Sequence, residues 1–217
     1  ATSLGENWIS YRSENTIYGE LSYLINTNKI QFEEPYSILN GDEYYFAHRP
    51  PYVLEFNYNN QEFILINIHY KCCGDGILDE DNSWDEEYRR LMASSYLHNY
   101  ITENFDNKNI IVLGDFNDEL IDDNNVLEVF LSDNEGYLFT DYHMAEELNP
   151  WQYWSYPSWP SHIDHILISN ELFDEYEHIN STCITILLDN MLDNGWTDYD
   201  SYISDHRPVG LSLYISQ

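Results

Sequence analysis

The sequence predicts an α/β protein in which β-sheets pack face to face. Strand-like runs outnumber the one well-marked helix, and the two kinds of element are interleaved along the chain. Residues 110–113 (IIVL) form an unbroken apolar run, which is typical of a strand buried on both faces. Residues 209–215 alternate apolar with other residues, so this last strand should be half exposed. A sheet that packs on a partner sheet satisfies both patterns.

Each further element is predicted from the local pattern of apolar residues. The predicted strands are Leu21–Ile30, Tyr52–Tyr58, Phe63–His69, Asn109–Leu113, Ile163–Ser169, Thr182–Leu188 and Val209–Ile215. The helix is predicted at Trp84–Phe105, because Ser83 followed by Glu86 matches a capping box. Its predicted common face consists of Trp84, Tyr88, Leu91, Met92 and Ser95.

Composition indicates one folded domain. The chain has 217 residues, 43% of them hydrophobic and 16% aromatic, which suits a single domain with a sizeable core. We therefore expect residues 1–217 to form one domain, and a monomer. No apolar run approaches the roughly 18 residues that a membrane-spanning helix needs.

The net charge restricts the kind of ligand. The chain has 39 Asp and Glu residues against 8 Lys and Arg, a formal net charge of −31 at pH 7. This balance argues against a general electrostatic attraction to nucleic acid or anionic lipid, which requires clustered Lys and Arg. An anionic substrate would therefore need a local positive charge at its binding site, such as a bound cation. Solubility in a salty environment is the simpler explanation of the acidity.

The cysteines match neither a zinc site nor a disulfide scaffold. Cys72 and Cys73 are adjacent, and Cys183 is isolated. A disulfide and buried free thiols both remain open as explanations.

Polar residues interrupt the apolar runs where strands begin or end. These residues are His69, Asp115, Asn117, Asp164, Asp205 and His206. The two-residue period of a strand predicts that Asp115 and Asn117 point to the same face. Taken singly, each residue has a structural explanation, since Asp and Asn after Gly are common turn formers. Their recurrence at strand ends favours a shared site.

The residue types of this set suit phosphoester chemistry. Carboxylates and an amide supply oxygen ligands for a magnesium-like cation, and histidines can orient water or donate to a developing phosphoryl charge. The sequence lacks a Cys/His cluster at zinc spacing, a nucleophile elbow and a phosphate-binding glycine loop.

Ordered motifs along the chain resemble the endonuclease/exonuclease/phosphatase superfamily, whose fold is deoxyribonuclease-I-like. The motifs are YGELSYLINTNKI, FAHRPPYVLEF, LINIHYK, VLGDFND, SHIDHILIS and SDHRPVGLSLYI. The resemblance implies a four-layered α/β sandwich of two packed mixed sheets flanked by helices. It also implies metal-dependent hydrolysis of phosphoesters by an activated water, with Mg²⁺ as the expected metal and Mn²⁺ or Ca²⁺ as alternatives.

The resemblance assigns catalytic roles to the residues at the strand ends. Asp115 would orient or deprotonate the attacking water, and Asn117 would bind the scissile phosphate and hold Asp115 in place. His206 would donate to the phosphoryl oxygens, with Asp164 fixing its tautomer and raising its proton affinity. Asp205, together with Asp115, would be a metal ligand.

Two further assignments concern the leaving group and the substrate. Glu20 and His69 would form a general-acid pair for the leaving oxygen. Arg49 matches a basic residue that touches substrate phosphate, with a surface salt bridge as the alternative. Trp154 or Trp159 could line a substrate wall, with packing as the alternative. The remaining histidines, namely His48, His98, His143, His162, His165 and His178, are expected on the surface or in packing.

The chain departs from the family at its N-terminus. Family members begin with a strand ending in Asn, a helix, and a strand ending in a metal-binding Glu, and neither residue has a counterpart here. Residues 4–15 (LGENWISYRSEN) look too polar for the strand that carries this ligand. We therefore expect an N-terminally incomplete family member, with a naturally shortened variant as the alternative.

Three functions follow from these observations. The first is a secreted or periplasmic nuclease-like phosphodiesterase that acts on a phosphoester substrate such as nucleic acid. The second is a hydrolase of small or lipid phosphoesters, of the sphingomyelinase or sugar-phosphate type. The third is a pseudoenzyme or binding module that keeps the fold for its surface.

Overall fold

A mixed seven-stranded sheet organises the protein in the computed structural model, which describes residues 2–14, 21–146 and 151–216. The strands are β1 (Trp8–Arg12), β2 (Ser22–Asn26), β3 (Gln31–Phe32), β4 (Tyr36–Ser37), β5 (Tyr52–Tyr58), β6 (Gln61–His69), β7 (Asn109–Asp115), β8 (Tyr137–Phe139), β9 (Asp164–Ser169), β10 (Thr182–Thr185) and β11 (Val209–Ser212). The order in the large sheet is β3-β5-β6-β7-β9-β8, and β4 pairs with β5. Only β6 and β7 run parallel in this sheet of the described residues.

The described residues contain one long helix and several short ones. The α-helices are α1 (Glu86–Asn104), α2 (Glu128–Leu131), α3 (Tyr142–Glu146), α4 (Phe173–Tyr176) and α5 (Trp196–Tyr202). The 3₁₀ turns are Thr2–Leu4, Asn40–Asp42, Asn170–Leu172 and Leu188–Met191. None of the helices in the described ranges is both long and apolar enough to span a bilayer.

Helix α1 forms where it was predicted, but its cap and its buried face differ. Asp85, and not Ser83, is the N-cap, since its side chain accepts the backbone N–H of Tyr88 at 2.7 Å. The predicted Ser83–Glu86 capping box is therefore wrong. The predicted face is wrong as well, because Trp84 is 76% exposed and precedes the helix. The buried face carries Ala93, Leu97 and Ile101 instead.

The main core lies between α1 and one face of the large sheet. Alternate residues of β6 and β7 face the helix and join one buried cluster, because side chains alternate across a strand. The members from these three elements are Ile64, Ile66, Ile68, Ala93, Leu97, Ile101, Ile110 and Val112. The phenyl ring of Phe116, just after β7, closes this cluster.

Two antiparallel ladders cover the opposite face of the sheet. The β1–β2 ladder packs on β5, where Tyr23 and Tyr52 stack with ring centroids 5.4 Å apart. The β10–β11 ladder packs on β7 and β9 through apolar contacts. Sheets thus pack face to face with α1 outside, which confirms the predicted α/β architecture. The polar N-terminal stretch does contain a strand, β1, which is partly exposed and pairs with β2.

The predicted strand positions agree with the structure near the centre of the large sheet and less well in the β10–β11 ladder that packs on it. Strand β5 spans the predicted residues, whereas β11 ends at Ser212 and β10 at Thr185, before their predicted ends. Ser212 and Tyr214 are exposed and Leu211 packs on the large sheet, as the alternating pattern predicts.

Candidate active site

Three neighbouring strands place His69, Asp115 and Asp164 in one row across the sheet. His69 ends β6, Asp115 ends β7 and Asp164 begins β9. Asp115 is the Cα partner of His69 on one side and of Asp164 on the other. The row exists because β7 runs parallel to β6 and antiparallel to β9, so two strand ends meet one strand start.

The glycine before Asp115 allows β6 and β7 to approach closely at this row. Gly114 has a φ of +140°, and a Cβ built on it would lie 1.9 Å from the carbonyl oxygen of Ile68. No side chain can be placed at that distance from a backbone oxygen. Gly114 therefore sets the spacing of the strand that delivers Asp115.

A turn, and not the pleat of the strand, brings Asn117 to Asp115. Asn117 lies after the end of β7 and has a φ of 54°, in the left-handed region that Asn tolerates. Its backbone N–H donates to Asp115 Oδ1 at 2.9 Å, and its Nδ2 donates to the carbonyl of Tyr70 at 3.3 Å. The two residues lie together as expected, but the backbone amide is what contacts the Asp115 carboxylate.

His206 reaches this row from the loop before β11. Its Nδ1 donates to Asp164 Oδ2 at 2.7 Å, and its ring stacks on Tyr156 with centroids 4.7 Å apart. Burial by itself lowers the pKa of His206, but the hydrogen bond and the negative charges of Asp164 and Asp115 outweigh it and raise the pKa to about 9. His206 is therefore an imidazolium at neutral pH.

Asp115 and His69 have pKa values shifted in opposite directions. Burial, followed by the negative charge of Asp164, raises the pKa of Asp115 to about 7. Burial, followed by the positive charge of Arg49, lowers the pKa of His69 to about 4. His69 Nε2 lies 3.4 Å from Asp115 Oδ2. A neutral imidazole therefore lies next to a carboxylate that can accept a proton near neutral pH.

The remaining predicted site residues occupy different positions. Arg49 is buried and donates Nη2 to the carbonyl of Tyr70 at 3.2 Å, so it does not lie on the surface, and its role towards a substrate phosphate stays a prediction. Asp205 is exposed on the rim of the cavity into which the row of His69, Asp115 and Asp164 opens. Glu20 lies outside the described residues, so its pairing with His69 stays a prediction.

The row opens into a cavity of about 1010 Å³. Asn117 and His206 line it together with Asp115 and Asp164. Further carboxylates surround it, namely Asp75, Asp118, Glu119, Asp122 and Asp205. Trp159 forms part of its wall and is 75% exposed, whereas Trp154 is not among the lining residues. Of the two predicted tryptophans, Trp159 is thus the one at the cavity.

Sequence reasoning missed the residue that fixes the aromatic loop, residues 151–163. The guanidinium of Arg207 is fully buried and forms a double contact with Asp189, at 3.0 and 2.7 Å. It also donates to the carbonyl of Trp151 at 2.8 Å and stacks over the Trp151 ring at 4.1 Å. The SDHR motif placed this arginine next to His206, but the sequence did not indicate its partner.

A buried carboxylate fixes the two histidines that flank Asp164. Asp141 Oδ2 accepts from His165 Nδ1 at 2.6 Å and from His162 Nε2 at 2.9 Å. His162 and His165 therefore serve in packing, one of the two roles that the sequence left open. The signal in the sequence is strand alternation, which turns His165 away from the face that carries Asp164.

The carboxylates around Asp115 fit a divalent cation. One ligand atom each from Asp115, Asp164 and His206 lies within 4.8 Å of the others. Two carboxylates held so close repel each other, which contributes to the raised pKa of Asp115, and a cation would relieve this repulsion. Carboxylate oxygens are also the ligands that Mg²⁺ and Ca²⁺ prefer. Asp205, predicted as the second ligand, lies outside this group.

Several solved structures are similar to this chain over nearly its whole length. TDP2 of D. rerio, complexed with a single strand DNA product, has a TM-score of 0.64 at 13% identity over 96% of this chain and 78% of that chain. The human Nocturnin catalytic domain with bound sulfate has a TM-score of 0.59 at 14% identity over 98% and 74%. The mannosyl-6-phosphatase of Bacteroides thetaiotaomicron has a TM-score of 0.55 at 16% identity over 99% and 79%.

These identities are low, so the structural likeness concerns the fold. No curated protein matches the sequence of the chain. The model of the Endonuclease/Exonuclease/phosphatase family, however, matches residues 16–206, a range that includes the row of His69, Asp115 and Asp164 and also His206. The chain therefore belongs to the endonuclease/exonuclease/phosphatase family.

Proposed function

We propose that the protein hydrolyses phosphodiesters by attack of a water molecule that Asp115 orients. The observation that carries this proposal is the pairing of a cationic His206 with Asp164 next to the buried Asp115 carboxylate. Asp115 accepts the proton of the water. His206 donates to the phosphoryl oxygens as negative charge develops on them.

The proposal includes a divalent cation, with Mg²⁺ as the expected ion. Asp115 and Asp164 would hold it, with Asp205 on the rim of the same cavity. When bound, the cation supplies positive charge that stabilises the phosphoryl oxygens and the attacking water. Asn117 keeps Asp115 in position through its backbone N–H, and its side chain lies on the cavity wall where the phosphate would bind.

The cavity wall favours small or lipid phosphoesters over nucleic acid. Several carboxylates line the cavity, among them Asp75, Glu119, Asp122 and Asp205. The arginine among the described lining residues is Arg90, and it is buried in contact with Asp118. A polynucleotide would bring several phosphates near these carboxylates and be repelled. A substrate with one phosphodiester group can place that group at the cation and an apolar part against Trp159.

The test is metal-dependent hydrolysis of bis(p-nitrophenyl) phosphate by the purified chain in millimolar Mg²⁺ or Mn²⁺. We expect EDTA to abolish the activity, and His206→Ala and Asp115→Ala each to lower turnover at least about a hundredfold. His178→Ala is the matched control, because His178 lies away from the cavity, stacked on Tyr214. Absence of hydrolysis, or near-normal rates in both site variants, would refute the proposal and favour a binding module.

The substrate class is tested by competition. A single-stranded DNA oligonucleotide should inhibit hydrolysis of the small diester only weakly, and less with rising salt. Rapid cleavage of the oligonucleotide would instead assign the nuclease-like function.

A further inference from the structure

Two adjacent thiols lie on the wall of the candidate active-site cavity. Cys72 and Cys73 follow β6 by a few residues, and both are exposed and line the cavity. Cys73 Sγ donates a hydrogen bond to Cys72 Sγ at 2.9 Å. Cys183 differs from both, because it lies on strand β10 and is buried among apolar residues. Of the two explanations left open by the sequence, buried free thiols fit Cys183, whereas Cys72 and Cys73 are free but exposed.

Two cationic side chains lie near Cys72 in a protein that has few of them. Lys71 Nζ lies 3.8 Å from Cys72 Sγ and 3.5 Å from Glu86 Oε1, and the Arg49 guanidinium is also a neighbour of Cys72. The chain has only 8 Lys and Arg residues against 39 acidic ones, so two such neighbours at one thiol are unusual. A cation at this position stabilises the negative charge of a cysteine sulfur while it attacks a disulfide.

Cys73 is arranged to keep its proton until Cys72 has reacted. The hydrogen bond to Cys72 raises the pKa of the Cys73 thiol, and burial raises it further. One member of the pair is therefore a hydrogen-bond donor, and the other is an acceptor beside a lysine.

The backbone that carries the thiols is held by helix α1. Arg90 is buried and donates Nη1 to the carbonyls of Lys71 and Cys73, at 3.0 and 2.8 Å. Its Nε donates to Asp118 Oδ2 at 2.8 Å, which joins this segment to the residue after Asn117. The thiols are thus positioned by the folded core.

We propose that Cys72 and Cys73 form a redox modification site that reacts with low-molecular-weight disulfides such as oxidised glutathione. The Cys72 thiolate attacks one sulfur of the small disulfide, which forms a mixed disulfide and releases one small thiolate. Cys73 then loses its proton and attacks Cys72 Sγ, which closes the Cys72–Cys73 disulfide and releases the second small thiolate. Two electrons pass from the cysteine pair to the small disulfide.

The bond formed in this way is readily reversed. Consecutive Cα atoms are about 3.8 Å apart, closer than the roughly 4.4–6.8 Å that disulfides prefer, so a disulfide between neighbours is strained. Strained and exposed disulfides are the easily reduced ones. The site is therefore suited to a reversible modification at the cavity wall, where the mixed disulfide also narrows the opening.

The experiment treats the reduced native chain with oxidised glutathione at pH 7, followed by alkylation and mass spectrometry of the intact protein and its peptides. We expect a Cys72–Cys73 disulfide in the wild type that dithiothreitol removes, with Cys183 unmodified until the protein is unfolded. Cys73→Ser should stop at one glutathione on Cys72, and Cys72→Ser should react at least about tenfold more slowly.

A charge control distinguishes the role of the neighbouring cation from that of net charge. Lys71→Gln in the Cys73→Ser background should slow glutathionylation at least about threefold, whereas Lys29→Gln, which lies in the turn before β3, should not. Unreactive native thiols, a persistent mixed disulfide in the wild type, or equal rates for the two single cysteine variants would overturn the proposal. These readouts need no hydrolytic activity, so they hold even if the proposed function fails.

Discussion

His206 Nδ1 lies 2.7 Å from Asp164 Oδ2, a contact between residues 42 positions apart in the chain. Asp164 is fixed at the start of β9, and Tyr156 holds the imidazole from the other side. The contact commits Nδ1 to the carboxylate and leaves Nε2 as the nitrogen that can serve a ligand in the cavity. Asp164 therefore determines both the orientation and the charge of His206.

The first prediction concerns this pair. Asp164→Asn removes the negative charge and the strong acceptor that raise the pKa of His206, so that pKa should fall from about 9. If the imidazolium is the form that donates to the phosphoryl group, the alkaline limb of the rate profile should move to lower pH. The measurement is the turnover of bis(p-nitrophenyl) phosphate as a function of pH. Asp174→Asn is the control, because Asp174 is exposed. An unchanged limb would show that protonated His206 is not the group that donates to the phosphoryl oxygens.

The second prediction concerns His69 and Glu20. If the two act as one unit, a variant lacking both should be little slower than either single variant. Turnover of Glu20→Gln, His69→Gln and the double variant is the measurement. Additive losses would instead indicate that His69 works through its 3.4 Å contact with Asp115.

The third prediction concerns Gly114. Gly114→Ala would place a Cβ 1.9 Å from the carbonyl oxygen of Ile68, at a φ of +140°. We expect the free energy of unfolding to fall by about 3 kcal/mol or more. Chemical denaturation measures this loss. Gly41→Ala is the control, because nothing lies within 4 Å of its Cβ, and it should change stability by only about 0.5 kcal/mol. Equal stability of both variants would mean that β6 and β7 are spaced differently.

The fourth prediction concerns the pH dependence of stability. Burial lowers the pKa of His165, but the charge of Asp141 and their hydrogen bond outweigh it and raise the pKa above the ordinary value of about 6.5. The ionic contact between protonated His165 and Asp141 contributes fully to the free energy of unfolding below pH 6.5, where the unfolded chain also binds the proton. This contribution declines above pH 6.5, because the unfolded chain releases its proton there. It is lost once the pH passes the folded pKa and the folded chain releases its proton as well.

His165→Gln should therefore show a smaller loss of stability than the wild type as the pH rises above 6.5. Denaturant unfolding at several pH values measures the difference in slope. His143→Gln is the matched control, since His143 is exposed on α3. A parallel pH dependence in the wild type and His165→Gln would contradict the assignment of a protonated His165.

The strands at the centre of the sheet could be predicted because burial imposes a simple pattern on them. The run around Ile110 is apolar since both faces of β7 are covered, by α1 on one side and by the β10–β11 ladder on the other. The face of α1 could not be predicted in the same way. Arg90 is buried there through contacts with Asp118 and two carbonyls, and no hydrophobic pattern reveals such partners.

The sequence by itself determined the α/β class, the family resemblance and the types of residue in the site, because strand periodicity and ordered motifs are local properties of the chain. Only the tertiary structure decided that Asp115 stands between His69 and Asp164, that Arg49 is buried, and that two thiols share the cavity wall. These relations depend on strand register and on contacts between distant segments. Burial and neighbouring charges then set each pKa, and both arise only when the chain folds.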